Sequence, residues 1–337
     1  MNAIALPETI TIEHRGKQLV TKHFFPLSDE ACEELRHEYY RKPSIIDVVD
    51  SLRKIEAGGS NVSVVTSYYV KELMSVVKLH SPKWSISEVF ENNDLIRYFW
   101  SRVLSSEKVY PKHHSNIRNF ETALRLSGGG VAMKPSNFPI DVVDNILGKY
   151  NVNGRYYDYS CGWGTRLLSS LRNRVDYFGT DPNYLLVESL SNLHSDYNAA
   201  NGLDTKADIR CAGSEEHQSD WVGTMGLAFS SPPYFSLEDY RIGAQSYSPG
   251  VTYESWLKLY MIPTIMNIQS YLVDDGYFLM NIKNFKDFQL QRDSKILIEA
   301  AGFTYIESLP LKNITRPSAR ENLNTDEQIM VFQKGSK

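Results

Sequence analysis

The sequence predicts an α/β protein built on a doubly wound, mostly parallel sheet, with a mainly helical N-terminal part. Two observations carry this expectation. From about residue 140 onward, short apolar strand signals alternate with amphipathic helix signals, the order that yields parallel strands joined by crossover helices. Before about residue 125 the apolar spacing is helical instead, as in SVVTSYYVKELMSVVKLH and SISEVFENNDLIRYFWSRVL. In the second of these, Ser85 and Glu88 stand at capping-box spacing.

The elements of the sheet follow in order. FPIDVVDNILGKY reads as an amphipathic helix, RYYDYS as a strand, TRLLSSLRN as a helix and VDYFGTD as a strand. PNYLLVESLSNLHSDYNAAN is a helix opened by Pro182, and KADIRCA and MGLAFSS are strands, the latter running straight into two prolines. YESWLKLYMIPTIMNIQSYL is a long helix in which Pro263 predicts an interruption. GYFLMNIKN follows the Asp275-Gly276 turn as a strand, and KILIEAAGF and QIMVFQK supply a closing helix and strand. The run Ser127-Gly128-Gly129-Gly130 marks the boundary, giving an N-terminal domain of residues 1–126 and a second domain of residues 127–337.

Composition narrows the class. With 337 residues, 42% hydrophobic and 23% charged, the chain has ordinary globular proportions. No apolar run reaches the length of a membrane span, and Glu8 and Glu13 break the N-terminal stretch where a secretory signal needs an apolar core, so a cytoplasmic location is expected. Cys32, Cys161 and Cys211 lie far apart, which predicts buried thiols with neither a disulfide framework nor a metal site. A net charge of -4 argues against coating nucleic acid through bulk charge. Locally, seven Lys or Arg against two acids between Arg97 and Lys134, and the group Lys312, Arg316 and Arg320, offer basic patches. The alternative for each is a solvated surface.

Three strand ends carry candidate chemistry. The stretch Asp158-Tyr159-Ser160-Cys161-Gly162-Trp163-Gly164-Thr165 sits where a strand turns into a helix, so Gly162 and Gly164 let the backbone approach a ligand. Asp158 is placed to accept hydrogen bonds from a cofactor's amino or hydroxyl groups. Taken alone, this is also an ordinary tight turn. Asp181, nineteen residues beyond Gly162 and ending the next strand, suits the two hydroxyls of a ribose, because a carboxylate accepts both. A dinucleotide site would share that layout, although Leu167 stands where its third glycine belongs. After the third strand, Asp208 and Glu215 are candidate partners for an adenine amino group.

The last strand end is Ser231-Pro232-Pro233-Tyr234. An exocyclic amino group on cytosine or adenine is a poor nucleophile, because its lone pair is delocalised into the ring. A site that activates it supplies acceptors for both amino hydrogens and favours a tetrahedral nitrogen. Ser231 Oγ and the Pro232 carbonyl can be those acceptors, prolines fix the backbone between them, and Tyr234 offers a flat face for an extruded base.

These residues resemble the amino-methyltransferases of DNA, over about residues 130 to 334. DYSCGWGT is similar to the family's DPFAGSGT-type cofactor loop, with Asp158, Gly162, Gly164 and Thr165 matching and Tyr159 and Ser160 departing. Lys134-Pro135 resembles the segment that packs against the methionine part of the cofactor, and YESWL and LVDDGYFLMNI resemble the helix and strand after the catalytic motif. The resemblance implies a Rossmann-like methyltransferase fold, S-adenosyl-L-methionine (SAM) as cofactor, and DNA as partner. Its serine-type motif implies methylation at cytosine N4, with adenine N6 as the alternative. Direct transfer to the amino nitrogen needs no cysteine nucleophile, which leaves Cys161 a structural member of the loop. The segment Ala212-Gly213-Ser214-Glu215 lacks the family's aspartate, and the order, cofactor loop before SPPY, differs from the permuted order of many cytosine N4 enzymes. No nuclease motif is present, so any restriction endonuclease would be a separate polypeptide. From another class, a nucleic-acid-binding or regulatory module on the same fold stays open.

Overall fold

The computed structural model describes residues 10–14, 17–21, 27–79, 84–104, 135–310 and 327–336. The chain divides into two compact units: Met1–Lys42, Lys71–Pro135 and Asp239–Arg241 in one, Pro43–Val70, Ser136–Glu238 and Ile242–Lys337 in the other.

The first unit is mainly helical. It holds a hairpin of β1 (Ile10–His14) and β2 (Lys17–Thr21), helix α1 (Asp29–Tyr40), the short α4 (Lys71–Val76), the two-residue strand β3 (Lys78–Leu79), α5 (Ile86–Phe90) and α6 (Asn93–Leu104). The capping box forms as its spacing predicts, with Glu88 N–H donating to Ser85 Oγ at 3.2 Å and Ser85 N–H to Glu88 Oε2 at 2.8 Å. The core is aromatic, Tyr39 stacking on Phe90 with ring centroids 4.3 Å apart beside Trp84, Tyr98 and Phe99.

The second unit contains a seven-stranded sheet. Helices α2 (Ile45–Glu56) and α3 (Ser63–Tyr69) precede α7 (Ile140–Tyr150), β4 (Arg155–Asp158), α8 (Thr165–Arg172), β5 (Asp176–Asp181), α9 (Tyr184–Asn201), β6 (Ala207–Cys211) and β7 (Met225–Ser230). After the two-residue β8 (Glu238–Asp239) come a long helix, β9 (Leu272–Ile282), a helix over Leu290–Ala300, β10 (Phe303–Pro310) and β11 (Gln328–Lys334). The sheet runs β10-β11-β9-β7-β4-β5-β6. Strands β9, β7, β4, β5 and β6 are mutually parallel, and β11 lies antiparallel to both β9 and β10. This is the Rossmann-like, doubly wound arrangement expected from the sequence. Its strand order reverses between β4 and β7, and ligands of open α/β sheets bind in the crevice at such a switch point, beyond the carboxyl ends of the strands.

Three expectations need correction. The boundary at residue 126 lies outside the described residues, and Pro43–Val70 belongs with the sheet rather than with the N-terminal helices. The cause is the apolar face of α2, whose Val48, Leu52 and Ile55 are wholly buried. Its polar side is tied to the same unit, as Arg53 Nε donates to the Ala200 carbonyl at 3.0 Å and Glu56 pairs with Arg174 and Tyr197. Pro263 does not interrupt the long helix. An α-helical turn over Tyr253–Trp256 passes into a π turn over Leu257–Met261 and then into the α-helix Ile262–Tyr271, with Ile262 N–H bonding to the Leu257 carbonyl. Pro263 thus sits at the first turn of the resumed helix, where its missing N–H costs little. Finally, FTYIESLP forms β10, which the sequence did not separate from the helix before it.

Candidate functional site

Two loops leave neighbouring parallel strands at the switch point. The glycine loop follows β4, and Ser231-Pro232-Pro233-Tyr234 follows β7. The glycines bend the first loop with φ of +60° at Gly162 and +88° at Gly164, conformations that L side chains rarely adopt. A Cβ on Gly164 would lie 3.1 Å from Leu190 Cδ2 and Leu193 Cδ2 of α9, so the loop also needs that position bare to settle on the helix. Cys161 is buried, its N–H donating to the Thr180 carbonyl at 3.2 Å, and burial pushes its thiol far above the usual range. It is a packing residue against Gly179, not a nucleophile.

Asp158 departs from expectation. It is 0% exposed and accepts from Arg166 Nε at 2.8 Å and Tyr177 Oη at 2.9 Å. A carboxylate so placed does not face a ligand; it anchors Arg166, whose Nη2 donates to the Ser160 carbonyl and, at 3.1 Å, to Ser230 Oγ. Ser230 Oγ in turn donates to the Ser160 carbonyl at 3.0 Å. One buried guanidinium therefore fastens the glycine loop to the end of β7, and the Asp158 charge holds it firmly protonated. The alternation of TRLLSSLRN reads as an amphipathic helix, and nothing in it separates Arg166 from a surface arginine.

Asp181 ends β5, half-buried, with Oδ1 accepting the Asn183 N–H at 3.0 Å. Burial pushes its carboxyl up to about 7, with the Asp158 charge adding to the effect and the N–H groups of Asn183 and Gly162 opposing it. Its two oxygens can accept more hydrogen bonds than these two N–H groups supply. Thr165 Oγ1, at the start of α8, and Asn137 Oδ1 are buried with no hydrogen-bond partner among the described residues. Asn137 precedes Phe138, which packs edge-on to Phe229 of β7 with centroids 5.5 Å apart. Pro135 is buried nearby in sequence, and Lys134 lies outside the described residues.

On the far side, Glu215 folds back over Gly213, half-buried, and burial raises its carboxyl. Asp208 is not a site residue: Arg210 Nη2 takes it at 2.7 Å and Trp221 Nε1 donates to it at 3.2 Å. The π turn, unanticipated in the sequence, brings Tyr260 to this edge. Burial raises its phenol, while the hydroxyls of Ser214 and Ser160 hold it back.

In the second loop Ser231 is half-buried, with Oγ accepting from Asn281 Nδ2 of β9 at 2.9 Å, while Pro232 is buried and Pro233 half-buried. Tyr234 is 9% exposed, so its ring is an inner wall rather than the open stacking face expected, and its hydroxyl is the anchored end, donating to Glu327 Oε1 at 2.8 Å. Asn281 and Glu327 carry no motif. They become neighbours only through the antiparallel pairing of β9 with β11.

Of the basic stretch 97–134, residues 105–134 lie outside the described residues, as do Lys312, Arg316 and Arg320. Arg97 is engaged within its own unit, with Asp29 at 2.6 Å and Asp94 at 3.1 Å. No described helix is long and apolar enough to cross a membrane.

No protein-family model and no curated relative matches the chain. Among solved structures, the cyclase SpnF aligns at 13% identity and a TM-score of 0.42, covering 59% of this chain and 81% of that one. A SAM-dependent O-methyltransferase from Thermotoga maritima aligns at 13% and 0.38, covering 61% and 68%. The 1,6-didemethyltoxoflavin N1-methyltransferase of Burkholderia thailandensis, solved with S-adenosylhomocysteine, aligns at 14% and 0.37, covering 58% and 76%. At such distances the residues of this chain, not its neighbours, decide its chemistry.

Proposed function

We propose that this chain is a SAM-dependent methyltransferase acting on the exocyclic amino group of a DNA base, cytosine N4, within a recognised sequence. The observation that carries the proposal is the placement of Ser231 Oγ at the end of β7, in the strand position next to the glycine loop that ends β4.

The residues present fit the cofactor. Asp181, with acceptor capacity left beyond its two backbone donors, suits a ribose diol; Thr165 Oγ1 and Asn137 Oδ1 are buried polar atoms without partners among the described residues; Gly162 and Gly164 keep the loop close to the strand ends. Glu215 and the Tyr260 hydroxyl stand at the edge where β6 ends. When bound, the cofactor supplies an electrophilic methyl group on its sulfonium. The protein's part is to make the amino nitrogen a nucleophile. Ser231 Oγ and the Pro232 carbonyl accept the two amino hydrogens and favour the tetrahedral nitrogen, and the two prolines spare them reorganisation. Cys161, buried and protonated, takes no part.

A duplex hides that amino group, so the target base must leave the stack, and the grip on phosphates falls to basic segments such as residues 97–134 and the loop 312–320. The test is to incubate the chain with methyl-labelled SAM and DNA and to identify the modified nucleoside by mass spectrometry. N4-methylcytosine is expected. N6-methyladenine would overturn the choice of base, and calorimetric SAM binding with no label in DNA would overturn the choice of substrate.

A further inference from the structure

Ser231 belongs to a set of polar groups that the SPPY motif does not announce. Asn281 Nδ2 lies 2.9 Å from each of Ser231 Oγ, Tyr234 Oη and Glu327 Oε1. An amide has two hydrogens for these three oxygens, so the oxygens must also satisfy one another. Gathered around that one nitrogen, the Ser231 hydroxyl neighbours Tyr234 Oη and lowers the cost of charge on it, and Tyr234 donates to Glu327 Oε1 at 2.8 Å. The register Ile282↔Gln328 and Asn281↔Ile329 between β9 and β11 sets Glu327 beside the C-terminal end of β9.

The chemistry at Ser231 leaves one requirement unmet. When an amino nitrogen forms a bond to a methyl carbon it becomes cationic and must shed a proton, and a serine cannot keep it. We propose that Glu327 receives that proton through Tyr234 and Ser231, an inference that rests on the amino-methyltransferase reading above. One N–H bond of the methylated nitrogen breaks as Ser231 Oγ gains the proton; the Ser231 proton moves to Tyr234 Oη and the Tyr234 proton to Glu327 Oε1. The carboxylate ends as a carboxylic acid, the nitrogen ends neutral, and no electrons change hands. Glu327 then returns the proton to solvent.

The surroundings support this direction. Burial, and the Glu327 carboxylate beside it, keep the Tyr234 phenol well above its usual range, so the tyrosine hands a proton on without resting as a phenolate. Among the described residues, the charged groups facing this chain of oxygens are Glu238, whose charge adds to that effect, and Lys283, whose Nζ stands 5.9 Å from the Tyr234 ring centroid. Acting through Tyr234 and Ser231, Glu327 is a positioning residue for the proton.

The experiment compares the full chain with Glu327→Gln, which keeps an acceptor oxygen but cannot take a proton, and with Tyr234→Phe, which removes one hydroxyl and leaves the ring. Single-turnover methyl transfer is followed from pH 6 to 9. Calorimetry follows SAM binding, and 2-aminopurine fluorescence at the target position follows base extrusion. We expect Glu327→Gln to lower transfer about 100-fold at pH 7. The deficit should shrink as pH rises and hydroxide replaces the missing acceptor, with SAM affinity and extrusion within about twofold of wild type. Tyr234→Phe should reproduce that profile, and the double variant should be no slower than either single one. Wild-type rates in both variants, or a loss equal at every pH, would overturn the relay while leaving the methyltransferase reading intact. A wild-type chain that binds SAM but methylates no DNA would overturn that reading and the relay with it.

Discussion

Asp181 ties the proposed cofactor site to pH. Its carboxyl is raised from 3.8 to about 7, first by burial, and a ribose diol donates to the ionised form. Binding must therefore draw on the ionised fraction. With a titration near 7, the apparent Kd for SAM follows 1 + 10^(7 − pH). That factor is about 1.1 at pH 8 and about 11 at pH 6, a loss of about 1.4 kcal/mol per pH unit below 7. Binding below pH 7 should also release close to one proton, visible as a dependence of the calorimetric enthalpy on the buffer's ionisation enthalpy. Asp181→Asn should flatten the pH profile and weaken binding at pH 8 by about 10- to 100-fold, the worth of a charge-assisted hydrogen bond. The sign for stability is opposite to that of a salt-bridged acid. Between pH 4 and 7 the unfolded chain binds fewer protons at this residue than the folded one, so the unliganded protein loses stability as pH rises through that window. Asp181→Asn should then raise Tm at pH 8 and leave it unchanged at pH 4. A Kd for the wild type that is flat from pH 5.5 to 8.5, or a slope that persists in Asp181→Asn, would refute this reasoning.

Three other perturbations bear on the same site. Ser231→Ala should lower methyl transfer by about 10²- to 10³-fold, as expected for losing one preorganised acceptor, with SAM affinity unchanged by calorimetry; undiminished transfer would remove Ser231 from its role. Arg166→Leu leaves Asp158 buried and uncompensated, and should cost about 3–5 kcal/mol in denaturant melts, with partial recovery in Arg166→Leu/Asp158→Leu. Gly164→Ala forces a side chain into φ +88° against Leu190 and Leu193, and should cost about 1–3 kcal/mol of stability and weaken SAM binding by the same calorimetric assay.

How much of this could be read from the sequence follows from how local each signal is. The strand ends were legible because the signals are contiguous: DYSCGWGT, FGTD and SPPY each sit where an apolar run stops, and each proved to lie at the end of β4, β5 or β7. Asp158 is harder to read, because a carboxylate at a strand end looks the same whether it faces a ligand or an arginine eight residues on. Only the fold shows that Arg166 turns inward. Asn281 and Glu327 were out of reach, since their partnership with Ser231 depends on a strand pairing across distant sequence. The grouping of residues 43–70 with the sheet was hidden for a related reason, as helical periodicity tells that a face is buried and not against what. Tyr260 is hidden in the sequence because Pro263 suggests a break, whereas a π turn absorbs the proline and turns the tyrosine towards Ser214 and Ser160.

The clasp of Arg166 on Asp158, Ser160 and Ser230 has a consequence for how the protein answers to salt. Its side chain is 8% exposed and that of Asp158 0%, so counterions scarcely reach the pair, whereas contacts between exposed cations and phosphates fade over a Debye length of about 8 Å at physiological ionic strength. On the proposed DNA-methyltransferase reading, raising potassium chloride should thus release DNA well before it loosens the proposed cofactor site. In a salt titration that follows DNA by anisotropy and SAM by calorimetry, the two proposed grips would come apart in that order.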